Sequence, residues 1–537
     1  MSYAERGALL LILLLAAALR LNGVAFGLPS LNDPDEPLFM MTALEMLRNH
    51  SLNPGWFGHP ATITLYCLAL IDVAVAAVGM ASGRFADMQA LTSAVYADPG
   101  ILFLPARLFI VACGVLCVFL TWRIGRQLGG TRLGLVAAAL LAANAVHLQY
   151  SQIIRTDIQA TVFMLLCVQS VIAIAREGKR SDYLLAGLFL GLSMATKWPA
   201  ALVALAPIAA GLNRARSDPG AIRRLLLFGI AGAATLFLAS PFLLLDYPTV
   251  IRDLGGEARP IHPGATGGGF LANLAWYVRH PLLMSLGPVG LALVLFGLVW
   301  APLRNRLFAV AVLPPLLGFL IVISLQALRW ERWIVPILPF LALAGAAAIG
   351  QVVDFARTRV QRPLPWLESA LTLVLLAPMV ATALAATAER NNDTRQTAAA
   401  WARAHIPTDR SILIEHAGFD LVQGPWRLLF PIGTAGCVDV RKVLSGHIRY
   451  SRVETLRAGS PVVDLGHVAP ARIESCRADY AIFTHYDVYA LDPRTFANEL
   501  ALYRALLAGS QEQLVLRPVP GVRSGPVVRI VRLPRRT

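Results

Sequence analysis

Residues 7–37 read GALLLILLLAAALRLNGVAFGLPSLNDPDEP, an apolar run that ends in the three carboxylates Asp33, Asp35 and Glu36. A helix that crosses the hydrocarbon core of a membrane needs about 20 mostly apolar residues. The whole chain is similarly apolar, because 56% of its 537 residues are hydrophobic, only 15% are charged, and the mean hydropathy is +0.61. Soluble domains carry about 25% charged residues. The composition therefore excludes a soluble enzyme and a disordered scaffold, and it predicts a mostly α-helical, polytopic membrane protein.

The basic residues lie in short clusters between apolar runs. A net charge of +15 is typical of nucleic-acid binding when the charges share one surface. Clusters at the ends of apolar runs indicate membrane orientation instead, with no nucleic-acid partner. About eleven spans are expected, at 7–27, 105–124, 133–151, 158–175, 183–196, 198–213, 224–245, 282–301, 307–324, 333–350 and 366–388. The pair 183–213 is also compatible with one long broken element.

A further apolar stretch, 61–80, decides the topology. Basic clusters follow the second, fourth, sixth, eighth and tenth spans, at 123–132, 176–180, 214–224, 304–306 and 357–362. Basic loops face the cytoplasm, and all five lie on the side of Arg6 only if 61–80 does not cross the membrane. We therefore expect 61–80 to lie in the outer leaflet, within a first external loop at 31–104. The N-terminus is then cytoplasmic, and the C-terminus lies outside. The alternative for 7–27 is a cleaved signal peptide, although Arg20 and Asn22 follow the run without a small-x-small cleavage site.

The composition changes after residue 388. Residues 389–537 carry charges at regular spacing, a helical pattern at 394–405 and strand-like runs at 411–415, 480–484, 513–516 and 527–533. These patterns predict a soluble α/β domain, extracytoplasmic in this topology, after a transmembrane domain at 1–388. Its two cysteines, Cys437 and Cys476, either form a disulfide in the oxidising exterior or remain two buried thiols.

Two acidic motifs face the same side in this topology. The first is Asn32-Asp33-Pro34-Asp35-Glu36-Pro37, directly before a predicted surface helix whose first turn suits Pro37. N-capping requires one acid, whereas this motif contains three. The second is Arg155-Thr156-Asp157, at the outer end of the third span. Ionisable groups at membrane boundaries also mark the water interface, but two acidic clusters on one face favour a functional site.

Several basic or ionisable groups are expected at the same face. Lys197 lies between two apolar runs, where an ammonium requires an anionic partner, such as a phosphate, or access to water; the alternative is a snorkelling lysine. Arg329 and Arg332 flank aromatic residues in Arg-Trp-Glu-Arg-Trp and are suited to bind phosphate or to anchor the interface. The remaining candidates are His59, Arg107 and Arg155.

This combination suits transfer of a group from a phosphate-linked lipid. A carboxylate deprotonates an acceptor hydroxyl, and cations stabilise the departing phosphate. The sequence contains no Walker-type loop, no HExxH and no GxSxG motif. The run Gly267-Gly268-Gly269 lacks the Lys-Ser/Thr that follows a phosphate-binding loop.

The order of these motifs resembles the GT-C membrane glycosyltransferases, in the branch of protein O-mannosyltransferases and lipid A aminoarabinose transferases. Pro34-Asp35-Glu36 resembles the acidic signature of the first external loop, and Arg155-Thr156-Asp157 resembles the second acidic site. Further resemblances are Gly58-His59-Pro60, Arg107, Thr196-Lys197, Arg332-Trp333 with Pro336 and Pro339, and Asp393-Thr394-Arg395 with Trp401. Pro37 stands where the aminoarabinose transferases carry Arg, so the resemblance does not assign that substrate.

The resemblance implies a GT-C fold in the bacterial inner membrane and transfer of a sugar from a polyprenyl-phosphate donor to a hydroxyl on a glycan, lipid or protein acceptor. The reaction is expected to invert the anomeric centre, with Asp35 as general base. Glu36 then orients the acceptor or supports Asp35, and Asp157 positions the acceptor. The expected substrate-binding residues are His59, Arg107, Arg155, Lys197, Arg329 and Arg332. No cofactor is certain; a divalent metal, Mg or Mn, bound by Asp35 and Asp157 is left open.

Two other classes of protein fit parts of the sequence. A multi-pass transporter or lipid flippase of envelope precursors accounts for the spans, but it predicts repeat symmetry, which the sequence lacks. A non-catalytic assembly protein accounts for the external domain. Loss of transfer in an Asp35→Asn variant separates the enzyme from both alternatives.

Overall fold

The computed structural model of the protein describes residues 2–58, 61–257, 260–360, 366–415, 419–445, 452, 455–456 and 463–534. A helical bundle precedes a small α/β domain. The bundle helices are α1 (Tyr3–Leu21), α2 (Glu36–Arg48), α3 (Thr62–Ala81), α4 (Met88–Ala97), α5 (Gly100–Ala143), α6 (Ala145–Tyr150), α7 (Thr156–Arg176), α8 (Arg180–Thr196), α9 (Leu205–Ala215), α10 (Gly220–Ala239), α11 (Phe242–Leu245), α12 (Tyr247–Glu257), α13 (Phe270–Tyr277), α14 (Leu283–Arg304), α15 (Arg306–Ala311), α16 (Leu313–Leu325), α17 (Leu338–Val360) and α18 (Leu367–Asn391).

Among the described residues, eight helical segments are long and apolar enough to cross a membrane. The eight do not correspond one to one with the eleven spans expected: they include α3, which was expected not to cross, they omit α1, and one of them, α5, contains both 105–124 and part of 133–151. In addition, α8 has 17 residues and α9 has 11, and both are shorter than a full span. The expectation of a mostly helical, multi-span membrane protein is confirmed.

Two glycines divide α5 into two packed halves. Gly129 and Gly130 leave the helical conformation, and Gly130 has a φ of +86°, which favours glycine. The halves then approach closely, since a Cβ at Gly125 would lie 2.8 Å from the Cα of Gly134. This hairpin is the predicted boundary between the second and third spans.

Helix α1 is built into the bundle through a buried arginine. The Arg20 guanidinium donates to the carbonyl oxygen of Ala142 (3.2 Å) and to Ser151 Oγ (3.3 Å). Its side chain is fully buried. These contacts give residues 3–21 a structural role in the bundle.

Both ends of α3 lie at one end of the bundle. The backbone N–H of Ala61, directly before α3, donates to the carbonyl of Thr196 at the end of α8 (3.2 Å). At the other end of α3, Val78 and Ser82 share a cavity with Ile101 in the first turn of α5. Helix α3 has the length of a span, and the course along the membrane surface expected for 61–80 stays a prediction.

The described part of the C-terminal domain contains one mixed sheet of six strands. Its elements are α19 (Thr394–His405), β1 (Ser411–Ile414), β2 (Arg427–Pro431), β3 (Cys437–Asp439), α20 (Val440–Ser445), β4 (Tyr480–Phe483), α21 (Tyr486–Ala490), α22 (Ala497–Leu507), β5 (Gln511–Leu516) and β6 (Val528–Arg532). The strand order is β3-β2-β1-β4-β6-β5, and β1 runs parallel to both β2 and β4. The predicted α/β domain is confirmed.

Cys437 and Cys476 form a disulfide across a sequence separation of 39 residues. The sequence left this pairing open. The bond ties β3 to the turn that precedes β4.

The course of α3 can be tested by cysteine labelling. Ser93 on α4 is exposed, so we expect a Ser93→Cys variant to react with a membrane-impermeant maleimide in intact cells. Ser217→Cys, in the exposed basic turn between α9 and α10, is the matched variant and should react only after permeabilisation. The reverse pattern, with Ser217→Cys labelled in intact cells and Ser93→Cys labelled only after permeabilisation, would place α3 across the membrane.

Candidate active site

The acidic loop between α1 and α2 is folded back on itself. Gly27 has a φ of +64° and packs so closely on Asn32 that a Cβ there would lie 2.6 Å from the Asn32 Cβ. The carboxylate of Asp33 accepts a hydrogen bond from the backbone N–H of Asp35 (3.0 Å). Helix α2 then begins at Glu36 with Pro37 in its first turn, as predicted.

Arg155 holds two carboxylates of this loop. Its Nη2 lies 3.2 Å from Asp33 Oδ1, and its Nη1 forms an ion pair with Asp35. Burial lowers the pKa of Arg155, but the carboxylates of Asp33 and Asp35 raise it above its ordinary value. The guanidinium therefore remains charged and fixes the direction of the acidic loop.

Asp35 is the accessible carboxylate of the loop. Its side chain is 33% exposed, compared with 13% for Asp33. A second guanidinium, that of Arg332, lies 3.5 Å from Asp35 Oδ2. Arg332 belongs to the short turn Glu331–Ile337 before α17. Asp35 therefore lies at the meeting point of three distant segments of the chain.

Asp157 and Lys197 form a buried ion pair beside this loop. Asp157 lies in the first turn of α7, and Lys197 follows the last residue of α8. The two side chains are 2% and 5% exposed. Asp157 also interacts electrostatically with Arg155 and Arg332, the two residues that contact Asp35. The predicted convergence of the two acidic motifs is therefore present in the structure.

Glu36 and Arg107 are placed differently from their expected roles. Arg107 Nε and Nη2 bind the two oxygens of Glu36 at 2.8 and 2.6 Å, and both side chains are fully buried. The remaining Nη1 donates to the carbonyls of Val24 and Phe26 at 2.8 Å. These contacts engage four of the five guanidinium N–H groups, which does not support a role for Arg107 in binding the donor phosphate.

The segment around Arg329 and Arg332 is lined with aromatic rings. Arg329 lies over Trp276, 5.3 Å from the ring centre, and Arg332 lies over Trp330 at 4.7 Å. Among the described residues, Arg329 has no carboxylate within salt-bridge distance. The backbone N–H of Arg329 donates to the carbonyl of Ala265 (2.8 Å). This hydrogen bond places the segment 260–270 beside residue 329. The sequence prediction missed Trp276, because it lies more than 50 residues away in the chain.

His59 lies outside the described residues, so its predicted role remains a prediction. Two residues later, the backbone N–H of Ala61 donates to the carbonyl of Thr196, the residue directly before Lys197. This contact brings the start of α3 to the site.

The surroundings of Asp35 and Asp157 do not fit a divalent metal. The cations Arg155, Arg332 and Lys197 contact these two carboxylates. Within the described ranges, no three His, Cys, Asp or Glu side chains are arranged to hold a metal ion. The carboxylates of Asp35 and Asp157 are already paired with guanidinium and ammonium groups, so we derive no step through a metal.

The C-terminal domain contacts the acidic loop directly. Arg395, at the start of α19, donates to the backbone carbonyl of Asn32 (2.7 Å), and Asn32 Nδ2 donates to Gln396 Oε1 (2.9 Å). Asp393 holds the Arg395 guanidinium at 2.7 and 2.9 Å. The domain is therefore attached to the residue that precedes Asp33.

Comparisons with known proteins identify the fold. Residues 88–244 match the family model of dolichyl-phosphate-mannose-protein mannosyltransferases. The structure is similar to apo ArnT from Cupriavidus metallidurans, with a TM-score of 0.54, 15% identity and 98% of each chain covered. ArnT bound to undecaprenyl phosphate gives a TM-score of 0.52 at 13% identity, with 98% of each chain covered.

A further similarity is to the archaeal oligosaccharyltransferase AglB from Archaeoglobus fulgidus, in complex with an inhibitory peptide and a dolichol-phosphate. The TM-score is 0.51 at 13% identity, with 94% of this chain and 72% of that chain covered. No curated protein sequence matches the chain significantly. The GT-C fold expected from the sequence is confirmed, and the resemblance to a GT-C membrane glycosyltransferase is supported.

The burial of the Glu36–Arg107 pair predicts a loss of stability in a Glu36→Gln variant. Removing one partner of a buried ion pair costs about 3–5 kcal/mol, because the other charge remains buried without compensation. We expect a lower midpoint of thermal unfolding in detergent. Glu45→Gln on the same helix is the control, since glutamine preserves the acceptor for Asn49. Unchanged stability with lost activity would instead place Glu36 against a substrate.

Proposed function

We propose that this GT-C protein transfers a sugar from a polyprenyl-phosphate donor to an acceptor hydroxyl at the outer face of the cytoplasmic membrane. The observation that carries the proposal is the half-exposed carboxylate of Asp35, which shares two guanidinium groups with the buried Asp157–Lys197 pair. The match to the mannosyltransferase family model and the fold of ArnT, a protein solved with undecaprenyl phosphate, support a lipid-phosphate donor.

Asp35 acts as the general base in this proposal. Arg155 and Arg332 orient its carboxylate, which accepts the proton of the acceptor hydroxyl in this proposal. The acceptor oxygen then forms a bond to the anomeric carbon. The bond from that carbon to the phosphate oxygen breaks, and its electron pair leaves with the lipid phosphate. Attack from the face opposite the phosphate inverts the anomeric centre.

The cations at the site stabilise the phosphate as its negative charge increases. Arg329 has an aromatic contact but no carboxylate partner among the described residues, and Arg332 has a looser contact with Asp35 than Arg155 has. Both are therefore suited to turn toward a phosphate. Preorganised cations in a site of low dielectric act strongly on developing charge.

Asp157, Glu36 and Arg107 act by positioning other residues of the site. Asp157 positions the Lys197 ammonium near the phosphate, a role that differs from positioning the acceptor. Glu36 and Arg107 clamp the start of α2 against α5. Glu36 Oε1 also accepts the backbone N–H of Ile154 (3.0 Å), which joins α2 to the segment that carries Arg155 and Asp157.

Replacing the base should remove activity without unfolding the protein. We expect Asp35→Asn to lower the turnover number by about 10²–10⁴-fold, the usual contribution of a general base. The measurement is the rate at which membranes from a complemented deletion strain restore the missing envelope glycan, followed by mass spectrometry. Glu45→Gln, an acid on the same helix, should retain wild-type turnover. Wild-type turnover in a correctly inserted Asp35→Asn variant would refute the proposed base.

The role of Lys197 can be separated from simple neutralisation of Asp157. Lys197→Met leaves a buried carboxylate without its cation, so both stability and activity should fall. The double variant Lys197→Met/Asp157→Asn removes both charges, so the midpoint of thermal unfolding should recover while transfer remains about 10²–10³-fold reduced. Recovery of activity in the double variant would show that Lys197 does not act on the phosphate.

A further inference from the structure

A cavity lies away from the charged cluster, between the C-terminal half of α3 and the start of α5. Its volume is about 510 Å³, and its apolar wall is formed by side chains that include Ile71, Val75, Val78, Ile101, Pro105 and Phe109. The polar side chains in its lining are those of Ser82 and Arg84. Ligand pockets have volumes of about 300–1,000 Å³ and mostly apolar walls with a few polar groups. This cavity has both properties.

The turn after α3 closes one side of the cavity. Gly83 has a φ of +72° and reverses the chain, and the backbone N–H of Phe85 donates to the carbonyl of Gly79 (3.2 Å). The Phe85 ring then covers Gly79, because a Cβ at that position would lie 2.4 Å from the ring. The cavity wall is therefore shaped by the sequence Gly79 to Phe85.

Arg84 brings a positive charge to the cavity. Its guanidinium lies over the ring of Phe85, 5.2 Å from the ring centre. No carboxylate in the described part of the chain lies within salt-bridge distance of it. The nearby Asp87 caps α4 by accepting the backbone N–H of Ala90 (2.8 Å). The charge of Arg84 is therefore available to an anion from outside the protein.

We propose that this cavity binds one acyl chain of an anionic glycerophospholipid, with the phosphate of its headgroup on Arg84. The apolar wall provides the free energy of burying the chain, and basic residues near a membrane surface select anionic headgroups. The donor is a poorer occupant. Lys197, one of its proposed phosphate ligands, directly follows Thr196, whose carbonyl binds Ala61 at the start of α3. The cavity begins ten residues further along that helix, about 15 Å away at 1.5 Å per residue.

In this proposal the bound lipid stabilises the turn of α5 that carries Arg107. Pro105 and Phe109 line the cavity, and Arg107 between them points to the other side of α5, where it binds Glu36. An occupied cavity fixes the helical turn that presents Arg107. This proposal does not depend on the glycosyltransferase activity.

The test is lipid retention by the full-length protein, purified from nanodiscs that contain equal amounts of phosphatidylglycerol and phosphatidylethanolamine. Native mass spectrometry should show one retained phosphatidylglycerol. Arg84→Glu should reduce its retention about tenfold or more, since a favourable charge becomes a repulsive one. Ala74→Phe, which fills the cavity from an exposed position, should reduce the retention of both lipids at this site.

Two matched variants serve as controls. Arg48→Glu reverses an exposed charge on α2, and Ala77→Phe adds a ring on α3 outside the cavity lining; both should retain phosphatidylglycerol as the wild type does. Asp35→Asn should also retain it, which separates this result from failure of the proposed function. Equal retention by Arg84→Glu and Arg48→Glu, or equal retention of both lipids by the wild type, would overturn the proposal. Displacement of phosphatidylglycerol by undecaprenyl phosphate would assign the cavity to the donor and also overturn it.

Discussion

The compensation of buried charge at one end of an apolar bundle is the constraint on which the structure depends. Charges removed from water cost several kcal/mol each unless they are paired and hydrogen-bonded. The chain meets this cost with two kinds of arrangement. Glu36–Arg107 and Asp157–Lys197 are closed pairs that exclude water. Asp35, in contrast, is shared between two arginines and remains partly open to solvent. The Glu36–Arg107 pair fixes the helices, the Asp157–Lys197 pair holds the ammonium that acts on the phosphate in the proposed function, and Asp35 is the proposed base.

The sequence predicted those features that depend on a pattern of neighbouring residues, such as the helices and strands. Apolar run length predicted the helical bundle, and alternation with turn residues predicted strands β1, β4, β5 and β6 nearly to their ends. The start of α2 was also predictable, because Pro37 and the acids before it are signals within one helical turn. The meeting of Asp35 and Asp157 followed from topology alone, since both motifs were assigned to the same side.

The pairings within the site were not predictable in the same way. Arg107 and Glu36 are 71 residues apart, and nothing local shows that this arginine is saturated by one carboxylate and two backbone carbonyls. The same reasoning explains why Arg20, which looked like a flank of the first span, is a buried contact of α5. Such partners are chosen by tertiary packing, and a linear pattern identifies the charge but not the group that neutralises it.

The contact of Arg395 and Gln396 with Asn32 determines how modular the chain is. The soluble domain hydrogen-bonds to the backbone and the side chain of a residue just ahead of Asp33, so it is part of the support of the acidic loop. In a chimera that replaces residues 389–537 with the equivalent part of another protein, the acidic loop would lose its hydrogen bonds to Arg395 and Gln396. The C-terminal domain can therefore be exchanged only together with residues 27–35, because this loop and the domain form one contact.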